Sequence, residues 1–158
     1  MSAVNTTMNI EPVITIAVHG MPVTQGSKMA YRSGTGANRV MMLDSNRVSL
    51  KPWRQTVSHA ALAILPADWV PLEGPLSAEL HFTFYRPKSH KGKRTWPIGK
   101  QDVDKLVRAV FDSLTDAGVW RDDGLVVSLR ATKDYSDFQG VRITVGRVSE
   151  VLDIVAEE

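Results

Sequence analysis

Asp102 and Asp104 stand two residues apart, and Asp122 and Asp123 side by side, within a 26-residue stretch (99–124) that holds six aspartates. In an extended segment, side chains at i and i+2 point to the same side. Two carboxylates so placed repel each other unless a cation lies between them. Mg²⁺ takes hard oxygen ligands and keeps some of its water, so two or three carboxylates suffice to hold it. Arg108 and Asp112 follow Asp104 by four and eight residues, one and two helical turns on. A guanidinium at position 108 would stabilise charge building on a phosphate, while Asp112 reads as a structural partner in an i,i+4 pair. The chemistry such a set supports is metal-assisted attack on a phosphate ester.

Each residue also has a plainer reading. An acid at a helix start satisfies free N–H groups and the macrodipole, and Asp before Gly is common in turns. Against the plain reading of Asp122–Asp123, adjacent aspartates repel in a simple turn, and Trp120 two residues earlier should anchor this turn in the core, which suits a ligand held still. The four histidines, 19, 59, 81 and 90, show no ligand spacing and are given no metal role.

The charge distribution points the same way. Residues 1–100 carry a net +7 and residues 101–158 a net −5. A basic half beside an acidic half suits a polyanion met by the first and a metal handled by the second. The stretch 86–100, "RPKSHKGKRTWPIGK", has six Lys and Arg and no acid. Arg86, Lys88, Lys91, Lys93, Arg94 and Lys100 are expected to contact phosphates, with Trp96 available to stack on a base. Lys28 and Arg32, in the Gly- and Ser-rich stretch 19–39, are expected to do the same. The chain has no cysteine, which removes disulfides and thiolate metal sites. No basic region followed by an apolar run opens it, and no apolar run approaches the roughly 18 residues of a membrane span. A cytoplasmic location is expected.

The elements that must position these residues are legible in outline. "VITIAV" (13–18) reads as a strand, residues 19–39 as a loop or flap, and "VMML" (40–43) as a short strand closing it. A helix is expected from Asn46, with Trp53, Val57, Ala60, Ala61 and Ile64 as its apolar stripe and Pro66 ending it. "PLSAELHFTFYRP" (75–87) alternates as a half-buried strand. Val103 to Asp116 reads as a helix burying Leu106, Val107, Val110, Phe111 and Leu114, stopped by Gly118. Strands at 125–133 and 140–147 are expected to form a hairpin through "YSDFQG". The acidic tail should be a short amphipathic turn or frayed. The order predicts one α+β domain spanning 1–158, a mixed sheet with two helices on one face, with 1–12 and 148–158 flexible or peripheral.

The stretch "DVDKLVRAVFDSLTDAGVWRDDGLV" resembles the RusA family of Holliday-junction resolvases, endonucleases of phages and prophages. That family's hallmark is D-x-D-N-L-x-K-x-x-x-D-x-L, then G-x-W-x-D-D, then a strand ending in Lys. Asp102, Asp104, Leu106, Asp112, Leu114, Gly118, Trp120, Asp122, Asp123, Val126 and Lys133 fall in that register. "HGMPVTQGSK" and "FTFYRPKSH" are similar to the family's first strand and flap and its second strand and basic loop. The resemblance covers roughly residues 13 to 147 and implies a RusA-like two-layer fold. It implies a Mg²⁺-dependent homodimer, with Mn²⁺ able to substitute, that cuts two strands of a four-way junction or other branched DNA symmetrically. No small-molecule cofactor is implied. The catalytic and metal-holding acids map onto Asp102, Asp104 and Asp123, with Asp122 nearby, and the family's functional lysine onto Arg108. Lys105, where the family usually has Asn, and Lys133 join the expected DNA contacts. Arg108 keeps the charge of the lysine it replaces but cannot exchange a proton, and "DDGL" replaces the usual D-D-[SA]-Q.

Chain geometry bears on how such a site would be assembled. A helix over 103–116 is about 21 Å long, and residues 117–122 span about 20 Å fully extended. Asp123 therefore barely reaches Asp102 of its own chain, and a two-fold partner would supply it more cheaply. The competing reading is a branched-DNA-binding module without catalysis, whose acids only cap and turn. A sugar-nucleotide transferase using D-x-D is disfavoured because no nucleotide-binding βαβ fingerprint is visible.

Overall fold

The structure, a computed structural model, describes residues 4–26, 28–32, 40–44, 47–90, 96–99 and 101–154. The elements are β1 (Val4–His19), β2 (Lys28–Arg32), β3 (Val40–Asp44), α1 (Arg47–Ile64), β4 (Leu76–Phe84), α2 (Val103–Asp116), β5 (Val126–Tyr135) and β6 (Gly140–Ile154). The four long strands form one mixed sheet in the order β1-β6-β4-β5, and β2 and β3 form a separate antiparallel pair. This is the α+β class expected.

Period-two alternation sorts the strands into two faces. Ile16 and Val18 of β1, Val141, Ile143 and Val145 of β6, and Leu76, Leu80 and Phe82 of β4 are all buried on one of them. They meet Trp53, Val57 and Ala61 of α1 and Leu106, Val110 and Leu114 of α2, which complete the core. The α2 helix has the bounds its spacing predicts, although Phe111 is partly buried at the edge of the core rather than inside it. In α1 the last turn runs past the sheet, leaving Ile64 46% exposed, while Leu50 is buried near the other end.

The expected β5–β6 hairpin is not formed. β4 lies between the two strands, parallel to β5 and antiparallel to β6. The apolar face of β4 is buried along its whole length, and Ser77 and Thr83 on its other face are buried too. Such a strand belongs inside a sheet with a partner on each edge. β5, with Val127 and Leu129 exposed, takes the edge. "SDFQ" therefore crosses the end of β4. The Ser136 N–H donates to the Phe84 carbonyl at 2.9 Å, and the Gly20 N–H to the Gln139 carbonyl at 3.1 Å. Gly140, which follows, has φ +156°, and a Cβ there would lie 1.9 Å from the Val18 carbonyl oxygen.

The outer strands run further than expected. β1 and β6 pair from Val4↔Ile154 to His19↔Gly140, whereas β6 leaves β4 at Arg147. Residues 4–10 and 148–154 thus form a two-stranded ribbon beyond the sheet, and the tail through Ile154 is strand rather than a turn. A register shift between Pro12 and Ile14 marks the junction; proline lacks the ladder donor, and a bulge accommodates it.

Candidate active site

Residue types at the start of α2 explain its placement. Asp102 is the N-cap in extended backbone (φ −67°, ψ 129°), but its carboxylate makes no capping hydrogen bond. It pairs instead with Lys105, Nζ to Oδ2 at 2.8 Å. The Lys105 amine, by hydrogen bond and then by charge, holds the Asp102 carboxyl below the usual carboxylate range, and the pair raises Lys105 in return. Both groups are solvent-facing, as is Asp104 in the first turn.

Two hydrogen bonds tie this turn to the rest of the molecule, and a third closes the helix itself. The Lys133 Nζ on β5 donates to the Gln101 carbonyl at 2.7 Å. The Gln25 N–H donates to the Lys105 carbonyl at 3.1 Å, and the Leu106 N–H to the Asp102 carbonyl at 3.0 Å. A strand, the segment after β1 and the helix itself thus converge on the D-x-D. Lys133, expected among the DNA contacts, is half-buried and spent on this tie. Gln25, whose Oε1 is buried with no hydrogen-bond partner among the described residues, carried no sequence signal.

Arg108 is exposed one turn along α2 and makes no ion pair among the described residues. Asp112 has the structural role its spacing suggested, but with a partner outside its helix. Arg54 of α1 lies 3.8 Å from Asp112 and 2.7 Å from Asp116, lacing the two helices together.

The second acidic pair sits beyond the far end of α2. Asp122 caps a single 3₁₀ turn, Asp123–Leu125, by accepting from the Gly124 N–H at 3.2 Å. Asp123, half-buried, follows it. Trp120 anchors the turn, at 1% exposure. Its Nε1–H donates to Thr115 Oγ1 at 2.8 Å, and its ring meets Phe111 edge to face at 5.0 Å.

The fourteen residues of α2, about 21 Å of helix, therefore separate the two pairs. Among the described residues no group of three Asp, Glu or His comes close enough to hold a metal ion. One chain by itself offers Asp102 and Asp104. That donor set fits Mg²⁺ as it is held by one or two carboxylates, waters and a substrate phosphate; it does not make a closed protein cage.

Of the expected DNA contacts, Arg86 and Lys88 are exposed at the end of β4, and Arg86 stacks over the Tyr135 ring at 4.9 Å. Lys28 and Arg32 are the terminal residues of β2. Lys91, Lys93, Arg94 and Lys100 lie outside the described residues.

The sequence model of the endodeoxyribonuclease RusA family matches residues 19–146. The chain belongs to the RusA family. Among its relatives is the uncharacterized protein YqaN of Bacillus subtilis strain 168, 31% identical over 150 residues, which covers 86% of this chain and 97% of YqaN. A shorter stretch of 34 residues is 53% identical to the crossover junction endodeoxyribonuclease RusA of Escherichia coli O139:H28, covering 22% of this chain and 28% of that protein. The matched RusA region takes in both acidic pairs, α2 and the exposed basic end of β4. No helix among the described residues is long and apolar enough to cross a membrane.

Proposed function

We propose that this RusA-family chain is a divalent-metal-dependent endonuclease that resolves four-way junctions and related branched DNA as a homodimer, in the cytoplasm. The observation that carries the reading is the D-x-D at the mouth of α2. Its carboxylates are exposed, yet its backbone is held from β5 and from the segment after β1. Surface acids with only a solubilising role need no such bracing; groups that must meet a phosphate at fixed geometry do.

In this reading Asp102 and Asp104 would hold Mg²⁺ or Mn²⁺, with Asp123 of a second copy completing the set and Asp122 shaping its turn. The ion, when bound, supplies charge neutralisation and activation of water. Arg108, one turn on, faces the scissile phosphate and stabilises the charge that builds on it. Lys105 leaves Asp102 and moves to the DNA backbone as the site loads. The exposed cations at the end of β4 hold the flanking strand. Two such sites related by a two-fold axis match the two cuts that a symmetric junction requires.

The test is a labelled four-way junction incubated with and without Mg²⁺, and then with Asp104→Asn. Paired cuts that need both the ion and Asp104 are expected. Cleavage indifferent to both would remove the metal reading. Tight binding without cutting in either Mg²⁺ or Mn²⁺ would favour the non-catalytic binding module, for which the engagement of Asp102 by Lys105 speaks.

A further inference from the structure

We propose that the cleft at the C-terminal ends of β4 and β5, lined by Tyr85, Arg86, Tyr135, Ser136 and Asp137, holds a nucleobase turned out of the duplex beside the cut phosphate. This rests on the branched-DNA reading above and adds a base-binding subsite to it.

The cleft has a volume of about 520 Å³, within the roughly 300–1,000 Å³ range of small-ligand sites. A second cavity of about 180 Å³ adjoins it, sharing Tyr85 and Tyr135 and reaching Gly99 and Gln101. Gln101 immediately precedes Asp102, and its carbonyl is the one fixed by Lys133. The two spaces therefore run from the tyrosines to the residue before the D-x-D, and a nucleotide whose phosphate sits at the acids is the ligand that would lie along them.

The lining chemistry selects a base over a phosphate. Tyr85 is 58% exposed, so its ring is open to a planar partner. Arg86 lies 4.9 Å from the centre of the Tyr135 ring, within cation–π range, so a guanidinium and a ring already stand layered in the cleft. Bases splayed out of a helix are received on aromatic rings and on guanidinium planes alike. Asp137 lines the same space and repels an anion while accepting from a base amine.

The cleft is also braced. The Tyr85 N–H donates to Gln139 Oε1 at 3.3 Å, the Ser136 N–H to the Phe84 carbonyl, and the Phe138 N–H to Ser136 Oγ at 3.2 Å. The β5–β6 crossover that replaces the expected hairpin thus serves as one wall. Trp96, the stacking candidate suggested by the sequence, is exposed but lines neither space.

Photocrosslinking tests this with the full chain carrying Asp104→Asn, bound in Mg²⁺ to junctions bearing 5-iodouracil at single positions flanking the crossover. A crosslink to Tyr85 or Tyr135 from one such position is expected. In the otherwise unaltered protein, Tyr85→Ala should lower single-turnover cleavage about tenfold, as loss of one base stack implies, with junction affinity changed less than threefold and Tyr85→Phe restoring the rate. Junction binding with crosslinks elsewhere only, or a Tyr85→Ala rate equal to the parent's, would overturn the cleft and leave the nuclease reading standing. No junction binding by the parent chain would overturn both. Tyr85 is solvent-facing, so its replacement spares the core.

Discussion

Lys105 Nζ lies 2.8 Å from Asp102 Oδ2, so a lysine occupies a carboxylate proposed above to hold the metal ion. Asparagine, the residue that the resemblance to the RusA pattern puts at this position, carries no charge to hold that oxygen. Lys105→Asn is expected to tighten Mn²⁺ binding about two- to fivefold, the scale of an exposed ion pair. Titration of metal-free protein with Mn²⁺, followed by electron paramagnetic resonance of the free ion, measures this without any turnover. Because Lys105 lowers the Asp102 carboxyl, its removal should raise that group toward its ordinary value, so that in a carboxyl NMR titration protonation begins at higher pH. An unchanged titration would mean that the pair is not populated in solution.

The hydrogen bond from Lys133 to the Gln101 carbonyl separates a positioning lysine from a DNA-binding one. Lys133→Met should cost about 1 kcal/mol of stability for one lost hydrogen bond. It should slow cleavage at least tenfold, since small displacements of reacting groups are costly. Junction affinity should stay within twofold, and Lys133→Arg should recover part of the rate. A loss confined to affinity, steepest at high salt, would return Lys133 to the DNA contacts.

Since α2 holds the acidic pairs apart, a mixed dimer tests how the site is shared. One chain carries Asp102→Asn and the other Asp123→Asn. Sites built across the two-fold leave one set of acids intact, so nicking of a single strand is expected on a denaturing gel. Sites built within one chain leave both broken, and no cut appears.

Trp120, buried and hydrogen-bonded to Thr115, is expected to set the stability of the Asp122–Asp123 turn. Trp120→Ala should cost about 3–5 kcal/mol in urea unfolding. Trp120→Phe keeps the contact with Phe111 but loses the Nε1–H donor, and should cost about 1 kcal/mol more than a silent surface change. Equal costs for the two would show that the Nε1–H hydrogen bond, not the ring's packing, is what matters.

Much of the scaffold was readable because it rests on local periodicity. The bounds of α2 follow from Leu106, Val110 and Leu114 recurring on one face, and β4 from its alternation. The hairpin expectation failed for a non-local reason. "YSDFQG" has the composition of a tight turn, but whether β5 and β6 are neighbours depends on β4, whose need for two partners lies 50 residues upstream of the turn. The candidate acids were picked out by type and spacing. Their surroundings were not, because Gln25, Lys133 and Arg54 reach them through backbone carbonyls or from another helix, and such contacts leave no pattern in nearby residues. Tyr85 and Tyr135 look like ordinary strand ends until the parallel register of β4 and β5, which sets Phe84 opposite Tyr135, brings both to one cleft.

The β1–β6 ribbon has a practical consequence. Thr7 stands twelve residues before His19 on β1, about 40 Å away along an extended strand, at the end of the sheet opposite the D-x-D. The chain has no cysteine of its own. A Thr7→Cys substitution therefore creates a unique thiol for a fluorophore, remote enough to leave the candidate site undisturbed. On two associated copies, a pair of such dyes would turn the ribbon tips into a molecular ruler for how the protomers are arranged.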